Sequence, residues 1–463
     1  MGTLSASLNI AAQSLLAEQT AIQTTTNNIA NANTPGYSRQ VTNLDETPPI
    51  EFGNLNLGTG VAVSTITSQR SSILDLRVNQ ETQTQGALNA FISAGQQIQS
   101  LFNQTTGTGL QAPLTNFFNS LSQLSSNPSD PNTRQAVVTA AQNLATAFNQ
   151  SANNLSTIQQ SQDVGVTQSV SQINTLTTQI AAVNAQVSEA TGAGQNAGPF
   201  IDQRNQLINQ LSGLIDVSEI DAGNGSLTLT TTSGAPLVVG NQAFQLTTQT
   251  SPTTGFQDVF DQGVDITSKI TGGQLAGQIQ IRDQEIPGIL NNLDSLASNL
   301  ANAVNTQNQQ GFDLNGNPGG NIFVPPPAGG TGAAANLAVA ITSGSQIAAS
   351  AGPAPGNPGD NTNANALLAI QNQPIINGQT PLNAYSGLVF QIGNDVSSAQ
   401  TNEQAGSQVL QQLQDLQGGV SNVDINQEAA NLIRFQTAYQ AAAQISGIVD
   451  ELMQTTINMV PGA

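Results

Sequence analysis

The sequence predicts an α+β protein in which long terminal coiled-coil-like helices and a helical-bundle domain enclose an inserted β-rich domain. Three observations predict it. Apolar residues recur at seven-residue spacing near the N-terminus and along one stripe near the C-terminus. Residues 217–281 switch to period two with glycine punctuation. The 463-residue chain is also apolar enough to fold, at 38% hydrophobic with 43 glycines, although only 8% of its residues are charged, against a usual ~25%.

Taken in order, Met1, Leu8, Leu15, Ile22 and Ile29 form a heptad seam, with Leu4 and Ala11 at the offset positions. The seam ends at Asn33, Thr34, Pro35, Gly36 and Tyr37, where proline cannot continue a helix and Gly36 can take the positive φ of a turn. Residues 39–66 alternate Val, Leu and Thr around Pro48 and Pro49, which predicts extended or hairpin structure. Helical spacing covers 73–104, 110–125, 132–161, 165–191 and 199–214, punctuated by Gly107, Pro113, Pro128 and Pro199. After the β-rich stretch it resumes over 286–310. Residues 313–359 are rich in Gly, Pro and Ala and predict a loop or a small, poorly packed insert. Residues 363–416 return to helix. Ser421 with Asp424 reads as a capping box opening a last helix over 422–460, a rod of roughly 58 Å.

The implied domains are 1–35 with 421–463 as a terminal helical rod, 36–216 with 282–312 and 360–420 as a mainly helical domain, 217–281 as the β-rich domain, and 313–359 as the insert. Ile425, Leu432, Phe435, Tyr439, Ala442, Val449 and Met453 line the last helix, and Ile433, Ile448 and Leu452 widen that stripe beyond what one partner helix covers. The rod must pair with the other terminus or with another subunit.

Composition excludes most chemistry. There is no His, Cys or Trp, and Lys269 is the single lysine. Histidine triads, cysteine nucleophiles and Cys/His zinc sites are therefore impossible. A net charge of −20 with no cation cluster argues against nucleic acid. No apolar run is long enough for a membrane span, and residues 1–9 lack the features of a cleaved secretory signal. No cofactor or metal is expected.

Two terminal motifs carry a resemblance. Asn27 through Gln40 (NNIANANTPGYSRQ) is similar to the N-terminal signature of the bacterial flagellar axial proteins, and Asn431 through Ile445 (NLIRFQTAYQAAAQI) to their C-terminal signature. Within that family, Phe200–Asp216, Gly225–Leu229, Pro236–Gly240 and the segments from Gly272 to Gly320 resemble the hook-associated proteins that join hook to filament. The resemblance implies a structural adaptor with no enzymatic activity, exported unfolded through the flagellar type III channel and located outside the cell. Its partners would be copies of itself in an axial ring, the hook protein, the second junction protein, and an export chaperone on the C-terminal helix. The paired terminal helices would be disordered in the free monomer and line the inner tube. The assembly interface would run through Leu8, Leu15, Ile22, Ile29, Ile425, Leu432, Phe435, Tyr439, Val449 and Met453.

Other motifs read as ordinary structure. Asp313-Leu-Asn-Gly-Asn has the opening of a calcium loop, but Pro318 and Val324 stand where Gly and Glu are required, which favours an Asx turn. Gly330–Ala335 fits a dinucleotide fingerprint yet follows three prolines and no strand. Asp202 and Arg204, two apart, read as a site pair or, favoured over it, as a surface or interdomain salt bridge. Glu428 and Arg434 are either a solvated face or charges that set register between subunits. Alternative functions are a hook or rod protein, or a secreted adhesin or effector using the same export route.

Overall fold

The computed structural model describes residues 2–52, 55–102, 109–223, 225–353 and 359–459. Met1 of the heptad seam, Gly107, the expected helical residues 103–104, and Val460 lie outside them. Helix α1 (Gly2–Ala30) leads through the signature loop into strands β1 (Gln40–Glu46), β2 (Ile50–Phe52), β3 (Leu55–Leu57) and β4 (Val61–Ser68). β1 pairs antiparallel with β4 across a bulge at Asn43/Leu44, and β2 with β3, forming one long hairpin that lies on α1. Helices α2 (Ser72–Leu101), α3 (Gln111–Ser126), α4 (Pro131–Gly192) and α5 (Gly198–Leu214) follow.

The 62-residue α4 runs straight through the expected break between 161 and 165. Gly165 is there for close packing: a Cβ on it would come 2.7 Å from the Gln278 side chain. Its isolated cost in a helix is only about 1 kcal/mol, and Val166, Ser169 and Val170 beside it are buried.

The β-rich region forms two sheets. β5 (Ser218–Asp221), β6 (Leu227–Thr230), β7 (Pro236–Val239) and β8 (Gln242–Ala243) pair in sequence order; β9 (Leu246–Thr250), β10 (Gln257–Asp261) and β11 (Val264–Asp265) form the second, with β10 central. The region expected to stay β-rich to residue 281 turns helical before its end, at α6 (Gly273–Gln280). α6 continues through a π-helical turn, Ile281–Glu285, into α7 (Ile286–Gln309). Pro287 lacks the N–H that an α-helix would use here, and the wider turn absorbs the mismatch. Helices α8 (Thr362–Ala369), α9 (Pro381–Ser421) and α10 (Ile425–Met459) complete the chain.

Two hydrophobic cores form. One gathers the end of α2, α3, the first half of α4, α7, α8 and α9; the other gathers the second half of α4, α5, α6 and the sheets. α4 belongs to both and joins them. The insert at 313–359 departs from expectation. It has little regular structure, yet Ile322, Phe323, Ala334, Ile341 and Ile347 are fully buried in the first core, and the Phe323 ring lies 5.8 Å from that of Phe117. Residues 354–358 of the insert lie outside the described residues.

Asparagine side chains hold loop backbone and strand ends in place. Asn305 Nδ2 donates to Phe323 O and its Oδ1 accepts from Phe323 N, each at 2.9 Å. Asn308 does the same for Gly320 O and Ala348 N, Asn174 for both groups of Leu246, and Asn184 for Leu227. A side-chain amide is a copy of a peptide group, so one asparagine satisfies a donor and an acceptor with no net charge.

Candidate functional site: the joint of the chain ends

α1 and α10 pack antiparallel as a rod, and the signature loop sits at its base. α1 unwinds through turns closed by Asn31 N–H to Asn27 O and Thr34 N–H to Asn31 O. Gly36 has φ +76°, as its place in the motif predicts, and a side chain there would collide with Gln206. The loop folds Tyr37 back so that its hydroxyl donates to Asn28 Oδ1 at 2.9 Å.

Asn28 is the hub. Its Oδ1 also accepts from Gln40 N at 2.9 Å, and its Nδ2 donates to Gln40 O at 2.8 Å and to Glu428 Oε2 at 3.0 Å. All four of its hydrogen-bonding positions are filled. The other Glu428 oxygen accepts from Arg39 Nε at 2.7 Å, and Arg39 N–H donates to Ser421 O at 2.8 Å. Asn28 and Glu428 are each only 1% exposed. The N-terminal helix, first strand and C-terminal helix therefore meet in one buried polar cluster.

A second set of contacts fixes the loop to the body. Asp202 on α5 accepts from Ser38 N and Ser38 Oγ, at 3.0 and 2.7 Å, and pairs with Arg70 at 3.0 Å. Gln206 donates to Pro35 O; beside these contacts, within the body itself, Gln417 on α9 donates to Asp75 on α2. These groups line a polar cleft of about 690 Å³ between rod and body. Burial raises the pKa of Asp202 and of Asp75 and lowers that of Arg70, each opposed by its hydrogen bonds or charge partners. Burial, with the charges of Asp202 and Glu428, pushes the Tyr37 phenol up to about 12.

Two expectations are corrected. Asp202 and Arg204 do not pair: two residues apart on a helix they point to different sides, and Arg204 instead donates to Asn184 Oδ1 at 3.0 Å and Gly225 O at 2.8 Å. Burial and then the nearby Arg70 charge lower the Arg204 pKa to about 10. Glu428 is neither on a solvated face nor open to another subunit; it is spent within its own chain. Arg434 makes no ion pair among the described residues and lies 4.8 Å over the Phe435 ring. The last helix also begins later than expected. Asp424 is its cap, accepting from Asn426 N and Gln427 N, while Ser421 ends α9 with its hydroxyl on Gln417 O.

The predicted interface residues divide. On α1, Leu8, Leu15, Ile22 and Ile29 are half-buried, while Ala11, Ala17, Ala21, Thr24 and Thr25 are fully covered. Small side chains make the closest approach and the larger ones flank it. On α10, Leu432, Phe435, Met453 and buried Val449 face α1; Ile425 and Tyr439 are exposed. Ile433, Ile445, Ile448 and Leu452 form a separate uncovered apolar face, each at least half exposed. Of the loop, Asn33, Thr34, Pro35 and Gly36 are exposed. Selecting residues by apolar spacing passes over Asn28, Ser38, Arg39 and Asp202. The available signal was Arg39, the first cation in the chain, facing a glutamate in an apolar stripe.

The remaining motifs are structural. Asp313 accepts from Asn315 N and Asn317 N as an Asx turn. The backbone N–H groups of Gly332 and Ala334 are taken by Asp294, which fills the place a phosphate would need. No metal-binding group of acidic residues occurs among the described residues.

A family model described as the flagellar hook-associated protein FlgK helical domain matches residues 95–323. The C-terminal model of the flagellar basal body rod FlgEFG proteins matches 416–459, and that of flagella basal body rod proteins matches 8–37. Flagellar hook-associated protein 1 of Escherichia coli is 27% identical over 98% of this chain and 100% of its own length; that of Bacillus subtilis is 28% identical over 97% of each. The chain belongs to the flagellar hook-associated protein 1 family. The alignment with the E. coli relative runs to 548 positions, so that relative carries segments this chain lacks. The flagellar hook junction protein FlgK from Burkholderia pseudomallei has the same fold, with a TM-score of 0.66 over 74% of this chain and all of its own at 21% identity. The two terminal matches cover the rod and the signature loop, and the helical-domain match covers most of both cores.

Proposed function

We propose that the chain is a structural subunit of the junction between flagellar hook and filament, outside the cell, and that it polymerises through the faces its rod leaves uncovered. One observation carries the reading. The chain packs its two terminal helices against each other and closes the base of the rod with buried Asn28 and Glu428, yet leaves Ile433, Ile445, Ile448 and Leu452 exposed along α10. The outward apolar face is then the surface for copies of itself and for the hook and second junction proteins. Each large apolar side chain covered on assembly contributes about 1.5 to 3 kcal/mol, so several together offset the ordering of the distal helix ends. An export chaperone fits the same α10 face before assembly. The family-wide match, and the absence of His and Cys, support an adaptor with no catalytic role. Deleting the gene and viewing cells by electron microscopy tests this: bare hooks with flagellin shed into the medium are expected. Normal filaments refute the reading, and loss of hooks moves the role to hook or rod.

A further inference from the structure

The two sheets of the β-rich region end in four edge strands, and three of them are guarded. β5 carries Glu219 and Asp221, and β8 and β11 are two residues long. The fourth, β9, spans five residues as Leu-Thr-Thr-Gln-Thr, with no charge and no proline, and pairs with β10 without a bulge. Very short, charged or bulged edges resist the addition of another strand. β9 has none of these guards.

The direction of its backbone groups follows from its neighbour. Val259 lies opposite Thr248, but its N–H donates to Thr267 Oγ1 and its C=O accepts from Ile266 N, both just after β11. Gln257 lies opposite Thr250, and its N–H donates to Asp163 while its C=O accepts from Arg282. In an antiparallel pair, a residue whose partner faces away faces away itself. Thr248 and Thr250 therefore each turn an N–H and a C=O outward, with no partner for them among the described residues. Leu246 has the same phase, and its outward N–H and C=O are bonded to the Asn174 amide. Asn174 stands where the first residue of a further strand would stand, and the row beyond it is open.

The space beside this edge is bounded. α4 forms the opposite wall of a groove of about 760 Å³, with Thr167, Ser171, Thr175 and Thr178 exposed along it and Val170 buried beneath. No charged residue lines the groove among the described residues. A helix has already bonded its backbone internally and cannot use such an edge; an extended segment can. The edges of this region in a second copy match poorly. β5 would bring two carboxylates, β11 is too short, and a second β9 carries its own α4 along the edge it would offer.

We propose that β9 is an acceptor edge for strand addition: an extended, uncharged segment of another protein lies between β9 and α4 and pairs with Thr248 and Thr250. Main-chain bonds hold it. The hydroxyl and amide wall selects against charge, because a carboxylate or ammonium there would lose water and gain no counter-charge. The site lies on the body and is independent of the apolar face of α10.

Residue-resolved amide hydrogen exchange of the full-length chain tests this. The probe is a capped synthetic peptide copying residues 245–251, which are uncharged and strand-forming. In the free chain, Thr248 and Thr250 should exchange severalfold faster than Thr247 and Gln249, whose backbone faces β10. Millimolar peptide should slow Thr248 and Thr250 severalfold and leave the other two as they were. Thr248→Pro removes an outward N–H and no bond to β10, which an edge strand tolerates, and should abolish the slowing at Thr250. Ser171→Trp fills the groove from the exposed α4 wall without touching β9 and should have the same effect, so the test stands even if the proline variant misfolds. Equal protection of Thr248 and Thr247 in the free chain, or no slowing with peptide, overturns the proposal. Slowing that survives both variants places the peptide elsewhere and overturns it too. Protection that rises with protein concentration alone gives the edge to a second copy and overturns the choice of occupant.

Discussion

Helices α7 and α10 are both long and amphipathic, but only one of them is finished by its own chain. α7 buries Ile286, Ile289, Leu293, Leu296, Leu300 and Val304 along one face. In the 35 residues of α10, only Glu428, Ala442 and Val449 are fully covered, and Ile433 and Ile448 remain 65% and 58% exposed. The same periodicity therefore has two meanings. In α7 it marks a core already formed; in α10 it marks one that needs another molecule. Sequence pattern records that a face must be covered and is silent on who covers it.

The comparison breaks most sharply through the cores. Phe148 on α4 is fully buried in the core that α7 completes. Phe148→Ala should cost about 3 to 5 kcal/mol, read as a drop in the urea midpoint of the free chain. Phe435→Ala in half-buried α10 should cost clearly less. Equal losses would mean that rod and body share one core.

Next comes the amide clamp that allows α7 to hold an irregular segment. Asn305→Ala strands both the N–H and the C=O of buried Phe323. The expected loss is about 2 to 6 kcal/mol, since each of the two orphaned groups costs about 1 to 3. Asn305→Asp keeps the acceptor but loses the donor, and should fall between alanine and the parent. This clamp also gives the composition a second meaning. With only 8% charged residues, the chain satisfies buried backbone with asparagine, at Asn28, Asn174, Asn184, Asn305 and Asn308.

These clamps mark where reading the sequence succeeds and where it stops. The extent of α1, the turn at Gly36, α5 and α7 follow from local rules of periodicity, proline and positive φ. The continuity of α4 through Gly165 does not, because the reason is Gln278, more than a hundred residues away. The packed insert was missed for the same cause: its glycines and prolines say loop, while the asparagines that order it lie elsewhere in the chain. At the joint, the motif was legible as a motif. Its chemistry was not, because Glu428 acquires meaning only when folding sets it beside Arg39 and Asn28, 389 and 400 positions away.

A smaller effect tests that joint. Tyr37 has a pKa of about 12 in the folded chain, against about 10 when unfolded. Above pH 10 the unfolded chain releases this proton first, so the contribution is intact below pH 10 and is lost as pH rises through 12. Tyr37→Phe removes one hydrogen bond to Asn28, about 1 kcal/mol at neutral pH, and should flatten the alkaline fall in stability measured by urea midpoints at pH 9 and 11. Tyr385, whose phenol burial also raises, adds to the fall, and Arg204, whose pKa is lowered to about 10, acts against it because the unfolded chain then holds the proton longer. An identical alkaline slope in both proteins would remove Tyr37 from the joint's energetics.

The smallest effect on the single chain carries the largest consequence for assembly. Ile448→Ser combined with Leu452→Ser replaces two side chains that are 58% and 50% exposed and face away from α1. Surface changes of this kind shift stability by about 0.5 kcal/mol or less each, so the urea midpoint should hardly move. In cells the same pair should prevent filament growth although the protein is still made and exported, because the face it alters has no partner among the described residues. A core pair of equal chemistry in α7, Leu293→Ser with Leu296→Ser, should do the reverse and unfold the free chain. If the α10 pair destabilises the single chain as much as the α7 pair, that face is intramolecular and the contrast between the two helices collapses.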